Sequence, residues 1–226
     1  MGILSRINDK LVKKSIEDNQ YEIISYSQEG EDILISRILK DVKNGFYIDI
    51  GAHHPIRFSN TYYFYKNGWN GINIDPIPGI KKQFDDLRPK DINLELAISN
   101  QKEVLNYFNF KEKALNTFSE SLAQQYIDAK WQLENVLPIQ TLPLKEILDI
   151  YVPASTRINF MTIDVEGFEM NVLTSNDWTK YKPDLLLIEI LDCSFDAIHS
   201  NEICIYLEKF GYTVFAKTFN TFFFKV

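Results

Sequence analysis

Short apolar runs bounded by turn residues recur along the chain, and stretches of helical spacing separate most of them. Phe46-Tyr-Ile-Asp-Ile50 and Gly71-Ile-Asn-Ile-Asp75 read as buried strands, each with an Asp at or near its carboxyl end. Between them lie the turn Gly51-Ala-His-His-Pro55 and an aromatic segment from Ser59 that Asn67-Gly68 stops. Strand, turn, helix and strand within about 30 residues make one βαβ crossover, whose right-handed return builds a parallel sheet. Upstream, Ser27 is expected to cap a helix carrying Ile33, Leu34, Ile38 and Leu39 on one face, and Met1–Asn19 has a near-helical apolar spacing. Downstream, Ile80–Leu87 reads as a helix, Asn93–Ile98 as a strand and Glu103–Phe110 as an extended piece. Leu144–Tyr151 is an amphipathic helix. Asn159–Asp164 and Asp184–Ile190 are strands, with a helix through Leu173 between them. Ile203–Phe210 is a helix stopped at Gly211, and Tyr212–Lys217 with Thr221–Val226 forms a closing hairpin that gives the sheet an antiparallel edge. Lys111–Gln132 has no clean apolar period and is expected to be a lid or substrate segment. The alternation predicts one α/β domain over residues 26–226, preceded by a helical extension over 1–25.

In a parallel sheet, ligands bind outside the carboxyl ends of the strands. Asp75 then stands where a carboxylate accepts hydrogen bonds from a nucleoside ribose. A dinucleotide needs bare backbone at G-x-G-x-x-G, and Gly51 is followed by Ala52, His53, His54 and Pro55 instead. That argues against a nicotinamide-dependent oxidoreductase. Asp49, two residues before Gly51, suits a cationic ligand with a free amino group, such as the methionine end of S-adenosylmethionine. The alternative is a plain βαβ unit without a ligand, and Asp75 in register with the turn weighs against it.

With 226 residues, 45% of them hydrophobic, the chain is long enough for a full α/β core. The net charge of -7, from 24 basic and 31 acidic residues, argues against nucleic acid as a partner. Cys193 and Cys204 match no metal or redox spacing and read as reduced thiols. No apolar run reaches the length of a membrane span and no secretory leader is evident, so the expected location is cytoplasmic.

Four separate motifs, in order along the chain, carry a family resemblance. They are Tyr26-Ser-Gln-Glu-Gly-Glu-Asp32; Ile48-Asp-Ile-Gly-Ala-His-His-Pro55 with Ser59-Asn-Thr61; Gly68-Trp-Asn-Gly71 with Ile74-Asp-Pro76; and Ile163-Asp-Val-Glu-Gly-Phe168. Together, from about Tyr26 to Glu189, the chain resembles the FkbM-type methyltransferases. The resemblance implies a class I, Rossmann-like fold: a seven-stranded, mostly parallel sheet with an antiparallel last strand and helices on both faces. It implies S-adenosylmethionine as cofactor and, most often, O-methylation in polysaccharide or secondary-metabolite pathways. The usual glycine-rich first motif is replaced here by Ala52-His53-His54-Pro55.

By position in these motifs, Asp49, Gly51 and Ala52 line the methionine moiety, Asp75 the ribose, and Ala97, Ile98 and Ser99 the adenine. Gln28, Asn60 and Thr61 are further cofactor contacts. Methyl transfer to a hydroxyl near neutral pH needs a proton acceptor, and the catalytic candidates are Asp164, Glu166, Glu189 and His53. Asp164, Glu189 and Asp192 could gather Mg²⁺, but their spacing does not demand a metal, and metal-free catalysis is expected. The expected substrate is a sugar or another small polar acceptor in surface-glycan assembly. Open beside it are N-methylation of an amine or phosphoramidate and a non-catalytic cofactor-binding protein. Exposed-type aromatics and the N-terminal segment leave a homodimer open.

Overall fold

The computed structural model describes residues 21–226, so the helix read over Met1–Asn19 lies outside the described residues. The core is a seven-stranded sheet in the order β3-β2-β1-β7-β8-β10-β9. Its members are β1 (Phe46–Ile50), β2 (Asn70–Asp75), β3 (Ile92–Glu95), β7 (Phe160–Ile163), β8 (Leu185–Glu189), β9 (Thr213–Lys217) and β10 (Thr221–Lys225). The first five named run parallel, while β10 lies antiparallel to both β8 and β9. This is the doubly wound arrangement expected, with one correction. The closing hairpin does not simply add an edge: β10 lies inside the sheet and β9 forms the edge. Phe222, Phe223 and Phe224 are therefore all fully buried, because consecutive side chains on an interior strand enter opposite cores.

The two cores follow the same alternation. On one face Ile48, Ile50, Met161, Ile163, Leu186 and Ile188 pack under α5 (Leu144–Tyr151), α6 (Glu169–Thr174) and α7 (Glu202–Glu208). On the other, Tyr47, Phe160, Leu185, Leu187 and Phe223 meet Ile35 of α1 (Glu31–Ile38) and Phe64 of α2 (Tyr62–Lys66). The helix α3 (Ile80–Leu87) connects β2 to β3. Gly30, in a left-handed conformation (φ 87°), holds the position before α1, and Ser27 serves the first turn from three residues further back: its Oγ accepts the Asp32 amide at 3.3 Å and donates to the Asp32 carboxylate at 2.9 Å.

Two further corrections concern residues 93–142. The strand expected over Asn93–Ile98 breaks at Leu96: β3 stays in the main sheet, and β4 (Ala97–Ile98) leaves it. With β5 (Val104–Phe110) and β6 (Leu133–Leu142), β4 forms a separate sheet in the order β4-β6-β5. Between β5 and β6 the aperiodic stretch folds into a short turn of 3-10 helix, Lys113–Leu115, and α4 (Glu120–Asp128). The strand β6 escaped sequence reading because Pro138 and its polar alternation resemble a loop, and its outer residues are exposed.

Beneath the carboxyl end of β1 lies a buried polar network. Arg88, just past α3, has no solvent exposure. Its Nε donates to Asp91 at 2.8 Å, its Nη2 to Tyr47 Oη at 2.7 Å, and both Nη atoms to Thr61 Oγ1 at 3.0 Å. Asp91 also accepts the Gly71 amide at 2.9 Å and Asn73 Nδ2 at 3.0 Å, so neither partner of the ion pair is left with idle hydrogen-bonding capacity. Removing one partner of such a pair strands the other charge in the core. Arg88→Met is accordingly expected to lower the unfolding free energy by about 3–5 kcal/mol, read from the urea midpoint. A loss below about 1 kcal/mol would mean that the network does not hold β1, β2 and α3 together.

Candidate functional site

The strand order reverses between β1 and β7, and a cavity opens at their carboxyl ends. Gly51 closes β1 with φ 80°, and a Cβ there would lie 1.6 Å from the Asp164 carbonyl oxygen. Only glycine permits that approach. The turn is fastened to both neighbouring strands. The Gly51 and Ala52 amides donate to Ile74 O at 2.9 and 3.2 Å, and the Asp164 amide donates to Ile50 O at 3.0 Å.

Two buried carboxylates occupy the β1–β2 side. Asp75 Oδ2 accepts the His53 amide and Oδ1 the Ile77 amide, both at 2.8 Å. Asp49 Oδ2 accepts Thr61 Oγ1 at 2.6 Å. Burial pushes both groups up to about 6, against the lowering effect of these bonds. His53 has a left-handed backbone (φ 52°), and burial lowers its imidazole to about 4, with the Arg57 charge adding to the effect. His54 serves the turn itself: its Nδ1 accepts the amides of Ile56 at 3.0 Å and Arg57 at 2.9 Å.

A second group of acids converges on the β7–β8 side. Asp164, Glu166 and Glu189 each place a carboxylate oxygen within 4.8 Å of the others. Burial, chiefly, drives all three upward: Glu166 to about 8 with help from Asp164, Glu189 to about 8 with help from Glu166, and Asp164 well above its usual range with help from Glu189. Glu166 has φ 52° and is followed by Gly167 at φ 83°, so this turn holds a non-glycine residue in a conformation costing about 1–3 kcal/mol. Glu166 is not the acid serving the first turn of α6. Glu169 is: its Oε1 accepts the amides of Val165 at 3.2 Å and Gly167 at 3.1 Å. Glu166 turns instead toward α4 and accepts Tyr126 Oη at 2.6 Å.

Of the residues expected at the site, Gln28, Asp49, Gly51, Ala52, His53, Asn60, Asp75, Ala97, Ile98, Asp164, Glu166 and Glu189 line this one cavity. Thr61 and Ser99 do not reach its wall. Thr61 is buried behind Asp49, and Ser99 is buried with its hydroxyl donated to Glu103 at 3.0 Å. Asp192 does not join the acids; Glu166 takes the place that sequence reading gave it, and the three acids could supply hard oxygen ligands to a divalent cation. Sequence reading missed Tyr107, Lys113, Asn116, Phe118 and Phe168, which also line the cavity. The first four come from β5 and the segment after it, where the lack of apolar period was the only signal. The space between the walls, with the open solvent at its mouth included, is about 1080 Å³. Two buried polar atoms on these wall residues, His53 Nδ1 and Glu189 Oε2, have no hydrogen-bond partner among the described residues.

One solved structure, a TehB-like SAM-dependent methyltransferase from Corynebacterium glutamicum, is similar at a TM-score of 0.44 and 10% identity, covering 98% of each chain; at that distance it carries no argument. No curated protein matches the chain. The model of the methyltransferase FkbM domain matches residues 49–214, a span holding the glycine turn and both groups of acids. The chain is a methyltransferase and belongs to the FkbM family.

Proposed function

We propose that this methyltransferase uses S-adenosylmethionine and methylates a hydroxyl of a sugar or another small polar acceptor. The observation that carries the reading is a single cavity with Asp49 and Asp75 at one side and Asp164, Glu166 and Glu189 at the other. The first side fits the cofactor. The Gly51 turn lets a ligand lie close to backbone, Asp49 offers a carboxylate to an ammonium, and Asp75 offers one to ribose hydroxyls. Ile77, Ala97 and Ile98 provide an apolar seat for the adenine. The partnerless His53 Nδ1 supports a ligand on this wall. When bound, S-adenosylmethionine supplies a sulfonium methyl group, and the acceptor oxygen displaces the sulfur in line.

The second side holds the acceptor. Glu166 and Glu189 are both pushed up to about 8, near the balance a general base needs, and Glu166, which alone of the two accepts the Tyr126 hydroxyl, is taken as the base. It takes the proton of the acceptor hydroxyl as the oxygen bonds to the methyl carbon. Asp164, held well above the usual carboxylate range by burial and by Glu189, keeps a proton and donates it as a hydrogen bond, while Glu189 accepts from a neighbouring hydroxyl. His53, lowered to about 4, is too weak a base to be preferred. Three converging carboxylates also suit an amine, which makes N-methylation the second reading. A role in surface polysaccharide synthesis and a cytoplasmic setting are part of the proposal and rest on the family resemblance. No helix among the described residues is long and apolar enough to cross a membrane.

Three outcomes are expected. In calorimetry, S-adenosylhomocysteine binds saturably while NAD does not, and Asp75→Ala weakens binding at least tenfold; absence of binding, with or without Mg²⁺, removes the cofactor reading. Affinity is level from about pH 6 to neutrality and falls toward lower pH by at least about tenfold per unit, because an ammonium needs Asp49 ionised, the ribose hydroxyls need Asp75 ionised, and both groups titrate at about 6 in the free protein. A flat profile would take Asp49 away from the ammonium. In a screen of nucleotide-linked sugars and amino sugars with labelled S-adenosylmethionine, Glu166→Gln abolishes transfer and leaves S-adenosylhomocysteine affinity within about threefold. Binding without turnover on any acceptor would favour a non-catalytic protein.

A further inference from the structure

The segment from β4 to β6 is not needed to complete the seven-stranded sheet, yet it reaches the acceptor side of the cavity. We propose that this segment supplies a positioning residue, Tyr126, whose donated hydrogen bond keeps the Glu166 carboxylate aimed into the cavity for proton transfer. The inference rests on the assignment of Glu166 as the base.

The observations are independent of one another. Tyr126 Oη donates to Glu166 Oε2 at 2.6 Å, the only hydrogen bond that this carboxylate receives among the described residues. From the same segment, Thr117 Oγ1 donates to the Glu166 carbonyl oxygen at 2.6 Å. Side chain and main chain of one left-handed residue are thus held by two points of one unit. The hold is rigid. Ser119 caps α4 by accepting the Leu122 amide, and Ala123 is buried. The Tyr126 ring meets buried Phe110 edge to face at 5.7 Å. The next residue, Gly167, lies so close to α4 that a Cβ would meet the Leu122 side chain at 3.3 Å.

The surroundings explain why a donor is needed there. Glu166 faces Asp164 and Glu169 from its own stretch of chain, Glu189 from β8, and Tyr107 from β5. None of these carries a positive charge, so every charged neighbour drives a proton onto Glu166. The Tyr126 hydroxyl is the one group opposing it, since a hydrogen bond donated to a carboxylate favours the ionised form. Tyrosine suits the task because its own hydroxyl is held well above its usual range by burial and by that same bond, so it donates without losing its proton.

Tyr126→Phe removes the hydroxyl and keeps the ring packing, which makes it a clean test. Protein labelled with ¹³C at glutamate side-chain carboxyls is titrated by NMR, and the Glu166 resonance is assigned by its disappearance in Glu166→Gln. The expected result is an upward shift of the Glu166 midpoint by about one pH unit in Tyr126→Phe, with S-adenosylhomocysteine affinity unchanged within about twofold. The acidic limb of the pH–rate profile moves by the same amount once an acceptor is in hand, so activity lost at neutral pH returns at higher pH. An unmoved midpoint overturns the proposal, as does a parallel loss of affinity and rate that higher pH does not restore, because packing alone would then explain Tyr126. Failure of the base assignment is a separate result: Glu166→Gln would transfer methyl groups at the wild-type rate, whatever Tyr126→Phe does to the titration.

Discussion

The contact on which the site depends is the approach of Gly51 Cα to the Asp164 carbonyl. Two parallel strands end side by side there, and a side chain at position 51 would force the turns apart. Because nothing intervenes, the turn after β1 and the turn after β7 share one wall. The first brings Asp49 and, through the His53 amide, fixes Asp75. The second brings Asp164 and Glu166. Separation of these turns by even a methyl group would split one elongated cavity into two shallow ones. The strained backbones at His53 and Glu166 flank this contact, in keeping with the tendency of such conformations to gather where structure serves chemistry.

The two sides of the cavity hold acids under different constraints. Asp49 and Asp75 are buried but bonded to donors, and those donors keep them titrating at about 6. The acids at the ends of β7 and β8 have little beyond one another and the Tyr126 hydroxyl, so burial and mutual repulsion carry Glu166 and Glu189 further, to about 8. The same residue type thus serves as a fixed anion on one side and a proton reservoir on the other. Burial is high on both sides; hydrogen-bond donors on the first and repulsion between neighbouring carboxylates on the second make the difference.

Much of this was legible in the chain. The strands of the main sheet announce themselves because burial on both faces demands continuous apolar runs such as Leu185–Ile188, and the glycine turn with its flanking acids stands out between them. Of the β4–β6 unit, β5 was legible as the extended piece Glu103–Phe110 but β6 was not, for a physical reason. The unit's strands are half exposed, so Leu133–Leu142 carries the polar alternation and proline of a surface segment. Tyr126 was invisible for a different one: it lies 40 positions from Glu166, and no local pattern records a pairing made by the fold. Arg88 shows the same limit. A lone arginine after an amphipathic helix reads as solvated, and only the three-dimensional neighbourhood of Tyr47, Thr61 and Asp91 turns it into a core residue.

The interior position of β10 has a bearing on how the chain is made. While β10 is still inside the ribosome, β8 has emerged with one long edge unpaired, and Leu185–Ile188 presents backbone donors and acceptors beside an apolar surface. No earlier segment can cover that edge, since β7 occupies the other side. The partner arrives only after α7 and β9 have been synthesised. Docking of β10 is therefore the step that closes the β8 edge and seals the apolar surface on both faces of the sheet.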